Sequence, residues 1–460
     1  MTKWLAGDAS ALSARIVFTH AASDLQRLPG HWLGYPNDYP SRNEAVAATL
    51  RHSPMPEDRR LHSFPAIHGM PLRRSSALVS FGAFLVVMGN SHSCRSCHSH
   101  SRAIQQTGRW STMFWPCPAF IIAFMSKKLR WGVLSTANIG LKKVLPAMQR
   151  GQFTSVDAIA SRDLARAQSA AAALGIPKAY GSYEELIADP DIDAIYNPLP
   201  NQMHVPWTIR AAEAGKHVLC EKPLGMTAAE AQTLVAMQQK TGVKIGEAFM
   251  VDSFPQWLRV QELLAQGRVG ELRSITGFFS YFNVDPNNIR NHMESGGGAL
   301  MDIGCYLVHA SRRAFAKEPH RVVGLIDRDP QMQTDRLTSA MLDFENGQSI
   351  FTCSTQLVPY QRIHFLGTRG RIEIEIPFNA PPDRPTRIFI DGGDLFGGNL
   401  EIEVFPTQDQ YTLQGDAFSK AVLEGGEVPV PVEDAVKNMA VIDAIFDSAA
   451  TGEWKSPQVF

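Results

Sequence analysis

The residues of this chain best placed to move a proton are Lys222, Asp302 and Tyr306. Lys222 lies in Cys220-Glu221-Lys222-Pro223-Leu224, a run that ends a short apolar strand. Asp302 and Tyr306 are four apart on a helix expected to begin near Gly298, so they share one face. A lysine ammonium beside a phenol lowers the phenol's pKa, which would make Tyr306 a competent proton donor or acceptor. Asp302 is then placed to orient hydroxyl groups. Each residue has a plainer alternative: a solvated lysine, a packed ring with an exposed hydroxyl, a carboxylate paired with a nearby base. His309, one turn past Tyr306, reads as a packed histidine rather than a proton carrier. Cys220 and Cys305 flank these motifs without a histidine or helix N-terminus to activate them, and with Cys353 they read as reduced interior thiols of a cytoplasmic protein.

A second feature is suited to phosphate. Ser135-Thr136-Ala137-Asn138-Ile139-Gly140 joins an apolar strand at 129–134 to a helix expected over 139–150. It occupies the place of a G-x-G-x-x-G fingerprint, with Ser and Ala replacing the first two glycines. Small residues there let backbone N–H groups and the helix N-terminus approach a pyrophosphate. The alternative is an ordinary strand-to-helix turn.

The elements that must position these groups follow from the alternation of patterns. A strand at 155–160, a helix at 164–174, then helix 183–188, strand 194–197, helix 205–214 and strand 217–220 argue for a parallel, doubly wound α/β sheet with ligands at the carboxyl ends of its strands. Where the second strand ends, an acidic residue would hold the ribose 2′-OH of NAD. Here stand Ser161 and Arg162, which suit a 2′-phosphate better and favour NADP over NAD. Asp163 next to them is placed to cap the following helix. Beyond residue 246 strands dominate, at 272–282, 321–327, 338–344, 349–356, 362–367 and 371–376. Several alternate apolar and polar residues, as in a mostly antiparallel sheet with one covered face. A helix at 299–315 is expected to pack on it, and a late helix at 432–450 to return to the first domain.

Four motifs in order give the chain a resemblance. They are the small-residue turn at 135–140, Pro198-Leu199-Pro200-Asn201-Gln202-Met203-His204, A-x-x-A-G-K-H-V-x-C-E-K-P at 211–223, and G-G-G-A-L-x-D-x-G-x-Y at 296–306. Together they resemble the glucose–fructose oxidoreductase / inositol dehydrogenase / MocA (Gfo/Idh/MocA) family over about residues 128–457. Tyr306, where members often carry His, resembles the sugar- and dihydrodiol-oxidising branch. The resemblance implies an α/β Rossmann domain at 125–246 and an α+β domain at 247–460 with a large, mostly antiparallel open sheet. It implies cofactor contacts from Ser135, Thr136, Ala137, Asn138, Ile139, Ser161, Arg162, Pro198, Asn201, His204, Glu221 and Lys222. It further implies a cis Lys222–Pro223 bond, and hydride exchange between nicotinamide and a sugar or polyol, with Lys222, Asp302 and Tyr306 at the substrate. The loop 283–291 resembles the aldose-binding loop of that branch, which brings Arg290 and Asn291 to substrate oxygens; the alternative is a polar surface turn. The open sheet face would mediate a homodimer or higher homo-oligomer. One departure bears on substrate identity: Val251 and Asp252 stand where relatives place a basic or aromatic residue.

Composition bounds what else the chain can be. Apolar content of 44% and charged content of 19% suit a core-forming globular protein. The net charge of −1 gives no reason to expect a nucleic-acid partner. That sum conceals two unlike pieces. Residues 1–124 hold one Lys, eleven Arg and six acids, a balance of +6, whereas 125–460 hold 32 bases and 39 acids, a balance of −7. The first piece reads as a low-complexity or disordered extension, or a spurious one. Its apolar stretches at 77–88 and 113–124 are too short to span a bilayer, so no membrane partner is expected. Arg73-Arg74 before the first of them resembles a twin-arginine export signal, which leaves an exported oxidoreductase as an alternative. Cys94-Arg95-Ser96-Cys97-His98 has the spacing of haem attachment and could equally offer zinc ligands; a Ser/His-biased stretch is the preferred reading, and no metal site is expected. The rival from another class is a non-catalytic dinucleotide-binding regulatory protein, which the presence of Lys222, Asp302 and Tyr306 together disfavours.

Overall fold

The computed structural model describes residues 127–458; the export, haem and zinc readings above lie outside the described residues. Leu129–Leu134 (β1), Thr154–Ala160 (β2), Lys178–Tyr180 (β3), Ala194–Asn197 (β4), His217–Cys220 (β5) and Ile245–Glu247 (β6) form a six-stranded sheet in the order β3-β2-β1-β4-β5-β6, with every neighbouring pair parallel. This is the doubly wound order, in which the succession of strands reverses between β1 and β4 and opens a crevice there. The sheet is buried on both faces, which is why β1 reads as nearly continuous apolar text: Leu129, Trp131, Val133 and Leu134 are all in the core. β3 and β6, three residues each, carry too little pattern to be read from periodicity.

The second sheet has eight strands in the order β14-β13-β12-β11-β7-β10-β9-β8. Its members are Leu272–Phe282 (β7), Arg321–Arg328 (β8), Asp335–Phe344 (β9), Gly347–Ser354 (β10), Gln356–Gly367 (β11), Arg371–Ile374 (β12), Thr386–Asp391 (β13) and Glu401–Phe405 (β14). It is antiparallel except where β10 runs parallel to β7. β13 and β14 were not among the expected strands, although β13 buries Thr386, Ile388 and Ile390 at every second position. One face is covered by the helices Pro255–Ala265 and Cys305–Phe315. The other leaves Leu325, Ile350, Val358 and Tyr360 exposed.

Two C-terminal helices tie the sheets together. The expected late helix, Val432–Thr451, bonds to the first domain through Asp443, which accepts from Ala228 N at 2.8 Å, and to β8 through Ser448, which accepts from Gly324 N at 3.1 Å. A helix that the sequence reading did not anticipate, Gln410–Glu424, packs directly on the parallel sheet: Ser419 accepts from the Trp131 indole at 3.0 Å, and Phe418 lies 5.4 Å from the Trp131 ring. The physical core of the first domain therefore includes residues far along the chain.

Two expected helices begin differently from a regular α-helix. The segment after β1 opens with a π-helical turn, Gly140–Val144, before the α-helix Leu145–Met148. Pro146 has no N–H to give to a carbonyl four residues back, and Leu145 N–H reaches Gly140 O instead. The helix carrying Tyr306 likewise opens with a π-helical turn, Leu300–Gly304, closed by Cys305 N–H on Leu300 O. The triple glycine before it is a packing requirement. Asp335 enters the turn to accept from Leu300 N at 2.7 Å, and a Cβ on Gly298 would stand 1.8 Å from that carboxylate.

Candidate active site

A cavity of about 1120 Å³ runs along the carboxyl ends of β1, β2, β4 and β5 and on to the Tyr306 helix. At one end lies the β1 turn. Ser135 adopts a left-handed backbone, φ 75°, as the glycine it replaces would do with less strain. Its hydroxyl accepts from Ala137 N at 3.3 Å, which holds the tight turn. Thr136, Ala137, Asn138 and Ile139 line the cavity beside it. Ser161 and Arg162 line it at the end of β2, and Asp163 caps the next helix by accepting from Ala165 N and Arg166 N. Lys143 and Arg166 also face this end. Sequence reading missed both, although Arg166 follows Arg162 by one helical turn. Three cations and a hydroxyl around a backbone turn form a donor set that fits a phosphorylated dinucleotide.

The middle of the cavity is built from the loops after β4 and β5. Pro198, Asn201, His204, Glu221 and Lys222 all line it. His204 is a strut: its ring nitrogens meet Pro223 O at 2.8 Å and Leu199 O at 2.7 Å, which joins the two loops. Glu221 accepts from the Tyr196 hydroxyl at 2.6 Å, and burial raises its carboxyl. The Lys222–Pro223 bond is cis. Behind it, Glu247 accepts from Leu224 N at 2.8 Å; burial pushes this carboxyl up to about 7.

At the far end Lys222, Asp302, Arg290 and Tyr306 converge. Lys222 Nζ donates to Asp302 O at 2.6 Å and meets Oδ1 at 3.2 Å. Asp302 Oδ2 accepts from Arg290 Nε at 3.0 Å and from the Tyr281 hydroxyl at 2.6 Å. Burial alone would raise the Asp302 carboxyl, but Arg290, Lys222 and Tyr281 hold it well below the usual carboxylate range. The same carboxylate keeps the Lys222 ammonium charged against burial. Tyr281, also missed, is recoverable from β7, where Phe279 and Tyr281 alternate onto the covered face.

Two expectations are corrected at this end. Lys222 does not depress the Tyr306 phenol: its ammonium lies over the ring, 5.0 Å from the centroid, and is spent on Asp302. Tyr306 is 6% exposed, and burial raises its phenol well above the ordinary value. Asn291 does not reach the cavity. Its amide donates to Asp285 O at 2.8 Å and pins the 283–291 loop, so that only Arg290 of the pair faces inward.

A family model described as an oxidoreductase family with an NAD-binding Rossmann fold matches residues 129–249, and one described as the GFO/IDH/MocA C-terminal domain matches 257–373. The chain belongs to the Gfo/Idh/MocA oxidoreductase family. It is 45% identical to an uncharacterized oxidoreductase, ORF334, of Rhizobium meliloti, across 99% of that protein and 71% of this one. It is 39% identical to D-xylose 1-dehydrogenase (NADP(+)) 2 of Haloferax volcanii, across 98% of that protein and 70% of this one. Among solved structures it resembles KijD10, a 3-ketoreductase of Actinomadura kijaniata crystallised with NADP and TDP-benzene. The TM-score is 0.65 at 30% identity, over 98% of that chain and 70% of this one. Residues 1–124 lie outside both family matches.

Behind Tyr306 this Gfo/Idh/MocA protein buries a charged network. His309, 1% exposed, meets Asp252 at 2.8 Å and Asp434 at 3.5 Å. Asp252 also pairs with Arg313, and Asp434 with Arg312. Asp252 therefore points away from the cavity, and Met250 is the residue of that stretch which lines it. Burial lowers the His309 imidazole, but Asp252 and Asp434 outweigh it and hold the pKa near 9, above the ordinary 6.5. The stabilisation from this imidazolium is full below pH 6.5 and is lost as pH rises through about 9. The expected loss over that window is about 3 kcal/mol, read as a fall in unfolding free energy by denaturant titration. In His309→Gln that alkaline slope should flatten.

Among the described residues no helix is long and apolar enough to cross a membrane.

Proposed function

We propose that this protein transfers hydride between NADP and a sugar or related polyhydroxylated substrate, as an aldose dehydrogenase does. The observation that carries the proposal is one cavity whose ends hold Ser161 with Arg162 and Lys222 with Asp302 and Tyr306. The activities named for the xylose dehydrogenase and the 3-ketoreductase support it. Ser135 to Ile139 would hold the pyrophosphate, and Ser161, Arg162, Arg166 and Lys143 the 2′-phosphate. When bound, the nicotinamide accepts or supplies the hydride.

The protein's own residues handle position and protons. Tyr306, kept neutral by burial, gives its proton to the substrate oxygen in the reductive direction and takes it back in oxidation. Lys222, fixed by Asp302, supplies a cation toward alkoxide charge developing beside it. Arg290 meets Asp302 through Nε and lines the cavity, which places its outer guanidinium nitrogens to meet substrate oxygens. The exposed apolar positions Leu325, Ile350, Val358 and Tyr360 support self-association through the open sheet face. Three buried, unpaired thiols, Cys220, Cys305 and Cys353, are consistent with a cytoplasmic setting.

The test is to follow NADPH formation by the full chain across a panel of aldoses and dihydrodiols. Cofactor binding without turnover of any member would favour a dinucleotide-sensing role instead. Arg162→Ala should weaken NADP binding about 10- to 100-fold, the value of a charged hydrogen bond to phosphate, and leave NAD binding unchanged. Fluorescence titration with both cofactors measures this, and equal weakening of the two would remove the 2′-phosphate assignment.

A further inference from the structure

Resting on the proposed role of Tyr306, the geometry points to Met250 as the residue that positions the reacting phenol. The Tyr306 hydroxyl donates to Met250 Sδ at 3.3 Å, and among the described residues that is its hydrogen-bond partner. Both side chains line the cavity. Lys222 cannot take this part, because its ammonium sits over the ring and is bonded to Asp302.

The segment that carries Met250 is built to grip the Tyr306 helix at two points. Phe249 meets the Tyr306 ring edge-on, with centroids 5.1 Å apart and planes at 81°, and stacks on His309 at 4.3 Å and 8°. Asp252, two residues past Met250, holds His309 at 2.8 Å. His309 lies three residues beyond Tyr306, on the same side of the helix. Residues 249–252 thus fix the ring through Phe249, the helix through Asp252, and the phenolic O–H through Met250.

A thioether is a suitable holder for a proton that must leave. Sulfur is a weak acceptor, so it orients the hydroxyl without outbidding a substrate oxygen. A carboxylate at this point would bind the proton too firmly. An aliphatic side chain would leave a buried hydroxyl with no preferred direction. Met250 is a positioning residue in this scheme, since it acts on the reaction through Tyr306.

The experiment compares Met250→Leu and Met250→Gln in the full chain, with kcat and KM for the best substrate and Kd for NADP. Met250→Leu keeps nearly the same volume and removes the acceptor; kcat should fall about tenfold with KM and cofactor Kd within twofold of the parent. Met250→Gln restores an acceptor at similar reach and should retain clearly more of kcat than Leu. Parental kcat in Met250→Leu overturns the assignment. So does equal loss in both variants, which would make the effect one of packing. Should Met250→Leu fail to bind cofactor, the Gln variant alone decides: retained kcat supports the assignment and a tenfold loss overturns it. A Tyr306→Phe control keeps the two proposals apart, because normal turnover there defeats the Tyr306 reading whatever Met250 does.

Discussion

Tyr306→Phe is expected to lower kcat by about three orders of magnitude while NADP binds as before, the scale of losing a positioned general acid or base. The phenol is a neutral proton donor at the substrate end of the cavity that is not committed to a carboxylate. Tyr281 is another phenol there, but it gives its hydrogen to Asp302 at 2.6 Å. Tyr306 gives its own only to a thioether. Removing one oxygen from Tyr306 leaves its contacts with Phe249, Phe279 and Phe378 in place, so the fold should tolerate the change. Steady-state kinetics with the best aldose, beside a cofactor titration, checks both halves. Turnover within tenfold of the parent would show that the proton travels by another route.

That expectation rests on a site only partly legible in the chain. Lys222, Asp302 and Tyr306 were visible because motif and spacing mark them, and the Ser135 turn because small residues stand there between an apolar strand and a helix. The alternation that defines the parallel sheet was also readable, since strands buried on both faces leave runs of apolar text. Contacts between distant segments were not. Nothing near Met250 indicates that a phenol 56 residues later will point at its sulfur. Asp252 looked like a departure in a substrate-facing stretch, yet the answering residues, His309 and Arg313, lie on another helix. Asn291 was expected at the substrate because the 283–291 loop resembles an aldose-binding loop, but the Asn291 amide closes that loop on Asp285 instead. The direction of the Tyr306 shift was misjudged for the same reason. Sequence can place a lysine near a tyrosine, but only the fold shows that a carboxylate claims the lysine first.

Asp302→Ala should be the most damaging single change to the site, costing about 3 kcal/mol of stability together with most of the activity. The carboxylate gathers Lys222 from the parallel-sheet domain, Arg290 from the 283–291 loop and Tyr281 from β7, and its side chain is only 12% exposed. Arg290, at 40%, can turn toward water when the carboxylate is lost. Lys222, at 11%, cannot, and keeps only the Asp302 main-chain carbonyl. A buried ammonium stripped of its counter-ion is destabilising in its charged form, so its pKa must fall and the cation beside the substrate weakens. Stability and catalysis are therefore expected to fail together. Asp302→Asn separates the causes: it preserves volume and one acceptor, so it should recover much of the lost stability while kcat stays low. Urea unfolding of both variants, set beside their kcat, tests the argument. If Asp302→Ala were as stable as the parent, the three donors would have found other partners and Asp302 could not be the clamp that aligns Lys222. If Asp302→Asn restored kcat as well as stability, the charge would be dispensable, and the work of this carboxylate would lie in hydrogen bonding alone.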